Sequence, residues 1–572
     1  MEHFSYVSLK EKNTIKLTIE SIVSERTRNG KQLSKVILRD KQGSMAEAVY
    51  FTKPYFLAKF KSGDAVMLYG KAKYDYGKLS FPSPELEFFQ ADRTEFVPVY
   101  SDCNYIPGTW FSDKMEYLRP YLAEITDFLP PEIQKKKGFR SRKENVTALH
   151  FPKTEADFFR SRSELAYEEL FMIQYRGMER KKSEQARTEG KALKIPLNAE
   201  RMKGLIAELP YELTGKQKIV LFQILRDMER PHSMTRLLQG DVGTGKTIVA
   251  FLAAIHAILE AGIQVAVMAP TEILARQHFD GWNGQFGHLG ISAELLVGSV
   301  TAKRKKEIKE RLKSGEIQLI IGTHALVEED VHFAKLGFVV VDEQHRFGVS
   351  QRRSLETYFS LAGQIFPHVL NMTATPIPRT LALTLYGDQD LSILNEYPAS
   401  RKPIHTAVVR EDGREQVYRM IENEISMGRQ AFWISPLVEE SETLDIANAV
   451  NTAETLRMVF AGKTVGLVHG RLKSRDKDEV MQRFFEGETD ILSSTSVVEV
   501  GVNNPNASVI CIEASERFGL SQLHQFRGRV GRGAHQSYCY LFTTKNYVGE
   551  RLKAMENSND GFELSEIDLE LR

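Results

Sequence analysis

The chain has 572 residues, 42% hydrophobic and 26% charged, and its 76 Lys+Arg against 75 Asp+Glu leave a formal net charge of +1. That length excludes a single hydrophobic core and, at about 150 residues per domain, predicts three or four of them. The composition is that of an ordinary globular protein, and so even a charge balance announces no partner by itself. The cysteines, Cys103, Cys511 and Cys539, stand far apart with no C-x-x-C, which suggests neither a disulfide framework nor a zinc site and fits a reducing compartment. Met1 to Lys10 lacks the apolar stretch of a signal peptide, and no apolar run of about 18 residues or more occurs, so the chain reads as cytoplasmic.

From Lys16 to Phe89, short alternating runs are divided by turn signals at Arg28-Asn29-Gly30, Asp40 to Gly43, Ser62-Gly63-Asp64 and Tyr76-Gly77. This is the texture of a small, OB-like β-barrel, with Lys35 to Leu38 and Ala65 to Tyr69 as buried strand material. Phe51, Tyr55, Phe56, Tyr74 and Tyr76 either fill its core or offer faces on which bases stack. Phe51 and Tyr55 are four apart, a spacing that shares one face in strand and helix alike, with Lys53 between them. From about Val97 to Pro196 an irregular start gives way to helical periodicity at Met115 to Leu129 and Glu155 to Arg180, a helical connector running into the polar stretch Ser183 to Lys194. Lys135 to Lys143, Arg176 to Lys194 and Lys303 to Lys313 are basic runs, read either as solvated helix faces or as surfaces that meet a polyanion.

Gly240-Asp241-Val242-Gly243-Thr244-Gly245-Lys246-Thr247 fits G-x-x-x-x-G-K-[ST] at every fixed position. Met234 to Gln239 before it reads as a strand and Ile248 to Leu259 after it as an Ala-rich helix, the setting in which backbone N–H groups converge on phosphate oxygens. Lys246 is then expected at the β/γ-phosphates of a nucleotide and the Thr247 hydroxyl on Mg2+. Further on, apolar runs at Val265 to Ala269, Leu295 to Val297, Leu319 to Ile321, Phe338 to Val341 and Val369 to Met372 alternate with amphipathic segments, which predicts a parallel sheet covered by helices. After about Asn395 the pattern restarts at Ala431 to Ile434, Val465 to Val468, Asp490 to Leu492 and Val509 to Ile512, without a second phosphate loop.

The apolar strand Phe338 to Val341 ends in Asp342-Glu343, so two carboxylates are expected at the carboxyl edge of the sheet, where open α/β folds bind ligands. Asp342 suits Mg2+, and Glu343 suits the water that attacks a γ-phosphate. Gln525-Phe526-Arg527-Gly528-Arg529-Val530-Gly531-Arg532 places Arg529 and Arg532 three apart, and a helix there would put both on one face as arginine fingers from the second lobe.

Asp342-Glu343-Gln344-His345, Thr373-Ala374-Thr375-Pro376-Ile377-Pro378-Arg379-Thr380 and Gln525 to Arg532 resemble motifs II, III and VI of superfamily 2 helicases, with Gly240 to Thr247 as motif I. The phosphate loop, His345-Arg346-Phe347-Gly348 and Glu516-Arg517-Phe518-Gly519-Leu520 with Gln522-Leu523-His524-Gln525 resemble more closely the RecG family of branch-migration helicases, through nearly the whole chain. The resemblance implies two RecA-like parallel-sheet lobes preceded by an OB-like wedge and a helical connector. The divisions it suggests are 1–96 (wedge), 97–196 (connector), 197–395 (ATP-binding lobe 1), 396–545 (lobe 2) and 546–572 (the start of a further element). It implies an ATP- and Mg2+-dependent double-stranded DNA translocase that remodels stalled forks and Holliday junctions in recombination and repair. Branched DNA would be its partner, single-stranded DNA-binding protein a second one, and the working form a monomer without membrane association. By the same route Leu213, Thr214 and Gln217 look like an adenine-reading motif, and Thr271, Thr323, His324, His469 and Thr495 like DNA-phosphate contacts. Phe51 and Tyr55 take the place of the wedge aromatics in the Tyr50 to Tyr55 strand.

Two departures accompany the resemblance. Asn503 stands where such chains usually carry Asp, a position tied to the coupling of nucleotide state to DNA grip. Relative to the family the chain is expected to lack an N-terminal portion and the helical hairpin that follows Arg572. A transcription-repair coupling translocase, disfavoured by Gln344-His345 and by the barrel directly upstream, and a DNA-binding module with an idle motor are the competing readings.

Overall fold

A computed structural model describes the chain except for residues 1–2, 5–6, 10–11, 27–31, 52–54, 76–77, 90–99, 102, 104–105, 345–365, 400, 437–441, 473, 496–503, 534, 546 and 572. It divides into two compact units, Met1–Glu169 and Leu170–Arg572.

In the first unit β1 (Lys12–Arg26), β2 (Gln32–Arg39), β3 (Met45–Tyr50), β4 (Ala65–Lys71), β5 (Lys73–Asp75), β6 (Lys78–Pro82) and β7 (Glu85–Phe88) form a seven-stranded sheet, in the order β5-β6-β3-β2-β1-β4-β7. The long β1 pairs with β4 over Lys12–Thr18 and with β2 over Thr18–Arg26, and its register slips between Ile19 and Ser21. Such a bulge bends the strand, so β1 can serve both halves of a curled sheet. Alternate residues from the two halves, Ile15, Leu17, Ile19, Val36, Leu38, Ala48, Val66, Leu68 and Phe81, then fill one shared core. Among the described residues the ladder stays open, with β5 and β7 as edges. Tyr50 lies in that core and donates its hydroxyl to the Pro84 carbonyl at 2.6 Å. Phe51 is 64% exposed and Tyr55 is 99% exposed, so neither ring is core. Tyr55 opens a 3-10 turn, Tyr55–Lys59, and not the strand or α-helix on which the shared-face spacing was argued. Lys53 and Tyr76 lie outside the described residues.

Four helices follow: α1 (Gly108–Leu118), α2 (Pro131–Lys137), α3 (Arg142–His150) and α4 (Glu155–Thr188). The periodicity read across Met115 to Leu129 is not one helix: α1 stops at Leu118, and Pro120 falls in the first turn of a 3-10 helix, Arg119–Glu124. Conversely α4 runs on through Ser183–Thr188, because Glu, Gln, Ala and Arg there are good helix formers and Thr188 returns its hydroxyl to the Glu184 carbonyl.

The second unit holds two parallel sheets. The first comprises β8 (Thr235–Gly240), β9 (Gln264–Met268), β10 (Ala293–Leu296), β11 (Leu319–Gly322), β12 (Leu336–Val341), β13 (His368–Thr373) and β14 (Asp390–Leu394), in the order β10-β11-β9-β12-β13-β8-β14. Helices α5 (Ala199–Ala207), α6 (Gly215–Met228), α7 (Lys246–Ala261), α8 (Glu272–Phe286) and α9 (Ala302–Lys313) belong to the same lobe. The α7 helix is apolar nearly all round and sits in the middle of that core. The second sheet comprises β15 (His405–Val409), β16 (Gln430–Ile434), β17 (Val465–Val468), β18 (Ile491–Ser494), β19 (Ala507–Ile512) and β20 (Tyr538–Phe542), in the order β15-β20-β19-β16-β18-β17. The apolar runs of the sequence correspond to strands in both sheets, whereas β14, β15 and β20 were not anticipated from it.

Within this unit α4 crosses lobe 1 at a glycine pair: a Cβ on Gly177 would stand 3.0 Å from the backbone of Gly387, and Lys181 pairs with Asp390 at 2.7 Å four residues further on. Gly204, exposed on α5, has open space around it. Gly177→Leu is expected to cost about 1 to 3 kcal/mol by overpacking, whereas Gly204→Ala should stabilise by about 0.5 to 1 kcal/mol through helix propensity. Equilibrium denaturation of the two variants checks the pair, and equal stabilities would remove the close crossing.

Candidate nucleotide site and DNA face

The phosphate loop turns between β8 and α7 on two glycines in the left-handed region, Gly243 at φ +84° and Gly245 at φ +81°. Crowding fixes the choice at both ends. A Cβ on Gly240 would stand 2.7 Å from the Thr244 hydroxyl, and one on Gly245 would stand 2.3 Å from Nε2 of Gln217. Lys246 folds back into the loop and donates to the carbonyls of Gly240 (2.7 Å) and Asp241 (2.9 Å). Burial lowers its pKa against the opposing pull of Glu343, Asp342 and Asp241. Thr214 and Gln217 form a capping box at the start of α6, and the remaining end of the Gln217 amide donates to the Thr244 carbonyl at 2.9 Å. Gln217 is therefore engaged with the loop and its own cap, beside buried Leu213.

The carboxylates emerge where expected, directly after β12. Asp342 accepts the Glu343 N–H on Oδ1 (3.0 Å) and faces Nε2 of His278 with Oδ2 (2.8 Å). Glu343 sits at φ +49°, a conformation that costs a non-glycine residue about 1 kcal/mol or more and is kept where the surroundings demand it. Its Oε2 accepts the N–H of Ala374, in the stretch after β13, at 3.1 Å. Burial first, then Asp342, pushes the Glu343 carboxyl above the usual range, against Lys246 and Arg529. The site thus holds a glycine-rich turn at a helix N-terminus, a hydroxyl and a carboxylate of the kind that ligate a hard cation (Thr247 and Asp342), and a second carboxylate whose pKa is raised by burial. The glycine cradle and this oxygen donor set fit ATP with Mg2+.

The second lobe closes on this loop. Contrary to the shared helix face that the three-residue spacing predicts, the helix Leu520–Arg527 ends at Gly528, and Arg529 and Arg532 lie in the non-helical stretch beyond it. The C-cap position admits only a glycine: a Cβ on Gly528 would stand 2.9 Å from Cβ of Val242 in the phosphate loop. The stretch beyond the helix still brings the arginines to the site, since Arg532 acts on the charge of Lys246 and Arg529 on that of Glu343. Burial, with Arg529 and Arg401 alongside, lowers the Arg532 guanidinium.

Asp241 is the centre of the contact. Its carboxylate receives the Val242 N–H (2.6 Å), the Tyr397 hydroxyl, the Gly561 N–H (3.2 Å) and Nε2 of His524 (2.7 Å). Arg527 donates to Nδ1 of His524 at 2.8 Å, which leaves the ring proton on Nε2, directed at Asp241. The same arginine donates to the carbonyls of Met555 and Ser558, both at 2.8 Å. Burial opposes the charge, but these partners hold the Asp241 carboxyl far below the ordinary range. Arg401 adds a bond to the Val242 carbonyl and lies over the Tyr397 ring. Sequence reasoning missed Tyr397, Arg401, Gly561 and His278, none of which lies in a phosphate-binding pattern; His524 was visible only as part of the Gln522 to Gln525 motif.

The residues expected at DNA follow neighbouring strands: Thr271 after β9, Thr323 and His324 after β11, His469 after β17 and Thr495 after β18. Thr271 accepts the Leu274 N–H as N-cap of α8, and His324 is exposed, whereas Thr323 and Thr495 are buried. Glu272 holds Ser299 by its N–H (3.2 Å) and hydroxyl (2.6 Å), locking two loops of this edge together. His345 to Gly348 and Asn503 lie outside the described residues. Among the described residues no helix is long and apolar enough to cross a membrane, and no group of three or more His, Cys, Asp or Glu forms a metal cluster.

Residues 214–384 match the DEAD/DEAH box helicase family, and residues 414–534 match the helicase conserved C-terminal domain. The chain is 42% identical to the ATP-dependent DNA helicase RecG of Bacillus subtilis (strain 168), over 98% of this chain and 82% of that protein. It is 44% identical to the RecG of Streptococcus pneumoniae serotype 4, over 93% of this chain and 78% of that one. A solved structure of RecG bound to a three-way DNA junction superposes with a TM-score of 0.71 at 35% identity, covering 98% of this chain and 75% of the other. With two parallel-sheet lobes meeting at a phosphate loop, the chain belongs to the RecG family of ATP-dependent DNA helicases.

Proposed function

We propose that this helicase hydrolyses ATP between its two lobes to drive double-stranded DNA through branch points, remodelling stalled forks and Holliday junctions. The observation that carries the reading is the convergence of Lys246, Asp342, Glu343, Arg529 and Arg532 from both lobes on one phosphate loop. The junction-bound RecG structure supports branched duplex DNA as the partner. Lys246 and the loop amides of Gly240 to Thr247 bind the phosphates, and Thr247 and Asp342 hold Mg2+, which when bound neutralises phosphate charge. Glu343 orients and deprotonates the attacking water, while Arg529 and Arg532 meet the charge that develops on the γ-phosphate. Leu213 and Gln217 border the adenine. Thr271, His324 and His469 face the DNA backbone at the strand ends, with Thr323 and Thr495 buried beneath it. Residues 1–96 act as a wedge, 97–196 as connector, 197–395 and 396–545 as the motor lobes, and 546–572 begins the element that transmits the stroke. We place the work in the cytoplasm, carried out by a monomer, with single-stranded DNA-binding protein as a further partner.

Lys246→Ala should weaken nucleotide binding, whereas Glu343→Gln should still bind ATP but lose about 10² or more in hydrolysis rate. Fluorescent-nucleotide binding beside a phosphate-release assay separates the two, and a normally active Glu343→Gln would remove its role. Arg529→Ala and Arg532→Ala should each lower turnover by roughly 10³ with little change in nucleotide affinity; a variant that lost only DNA affinity would be a DNA-phosphate contact instead. In the wedge, Phe51→Ala with Tyr55→Ala should weaken binding to forked DNA by about 1 to 3 kcal/mol per stacked base. Linear-duplex binding and ATPase activity on linear duplex should be spared. Fork binding equal to the parent would leave both exposed rings without this role.

A further inference from the structure

Asp342 is placed by a residue that no phosphate-binding motif contains. His278 lies on α8, seven residues beyond the Thr271 cap, and is as buried as the aspartate it faces across 2.8 Å. An ionised carboxylate only accepts, so Nε2 of His278 donates to Oδ2, while Oδ1 takes the Glu343 N–H. Both oxygens are thereby held in direction, and the lone pairs left over are those available to a cation. The imidazole is itself held edge-to-face by Phe251 of α7, with centroids 6.1 Å apart. The helix that carries it has two other attachments. Ile273 in its first turn packs against the core of the second lobe, and Glu272 and Arg276 act on the charge of Asp478 in that lobe. One rigid helix therefore touches the edge that follows β9, the opposite lobe and the carboxylate of the nucleotide site.

We infer that His278 is a positioning residue for the cation: it aims Asp342 from a helix that also packs on the second lobe. The inference rests on the reading of Asp342 as a Mg2+ ligand. Hydrogen-bonded partners behind a metal ligand commonly change metal affinity about 10- to 100-fold when removed.

The test uses the full chain and binding of a fluorescent ADP analogue titrated with MgCl2, a readout independent of turnover. His278→Gln keeps an N–H donor; His278→Leu and His278→Met fill the space without one, and a melting curve accompanies each so that a folded variant decides. The expected result is a Mg2+ half-point raised about 10-fold or more in the Leu or Met variant and largely restored in the Gln variant, with binding in EDTA unchanged in all. Half-points equal to the parent in every variant, or raised equally in all, would overturn the inference, the latter by showing that His278 serves packing alone. Asp342→Asn separates the two levels: an unchanged Mg2+ half-point in that variant refutes the ligand reading itself, whereas a shifted one with unaffected His278 variants refutes only the positioning role.

Discussion

A buried carboxylate must be matched by donors, and in this motor the matching of Asp241 joins three distant stretches of chain. The phosphate loop supplies the acid, the linker supplies Tyr397, and the second lobe and the helix after it supply His524 and Gly561. Leaving such a group with a missing partner costs about 1 to 3 kcal/mol, and more for a charge, so the contacts stand or fall together. Sterics tighten the same joint. A Cβ on Gly561 would come within 2.7 Å of His524, Pro376 and Asp241 at once, and one on Gly528 would meet Val242. The lobes can approach this closely because the touching surfaces are glycine backbone.

The electrostatics of the cleft follow from that approach. Lys246, Arg529 and Arg532, with Arg401 beside them, are brought near Asp342 and Glu343 in a buried region. Burial disfavours every charge there, pushing Lys246 and Arg532 down and Glu343 up. A polyphosphate with its cation brings the charges of both signs that these groups face. Fixed donors and acceptors already in position need not reorganise as the reaction proceeds, which is the larger part of phosphoryl-transfer catalysis.

Much of this was legible in the residues, for reasons that differ by element. The phosphate loop and β12 with Asp342-Glu343 could be read because their chemistry demands fixed residue types at fixed spacing. The apolar strands could be read because a parallel sheet buried on both faces leaves near-continuous Val, Ile and Leu runs. Edge strands β14 and β15 expose part of one face and carry polar residues, so the same signal was absent. Arg529 and Arg532 lie beyond a helix end that their own residues do not mark, and the glycine at 528 answers to Val242, nearly three hundred residues away in sequence. For the same reason Tyr397, Gly561 and His278 were invisible: each is defined by a partner in another element. The front sheet showed both limits, with its alternation plain and the exposure of Phe51 and Tyr55 apparent only in three dimensions.

The two aspartates of the nucleotide site are governed alike. Asp241 is met by a histidine from the second lobe and Asp342 by a histidine from α8, and in both the ring nitrogen donates to a carboxylate otherwise bonded to the backbone N–H of the next residue. The His278 ring fixes the direction in which Asp342 presents its remaining lone pairs, whereas His524 is one of four partners that occupy the Asp241 carboxylate. The two rings reach the site from opposite sides of the cleft. His524 enters with the helix that leads into the arginine turn, and His278 with the helix whose first turn packs on the second lobe. Each of the two carboxylates is thus joined through a helix to the opposite lobe. Contacts of this kind, in which one lobe bears on a buried carboxylate of the other, are the physical element that coupling between distant sites requires.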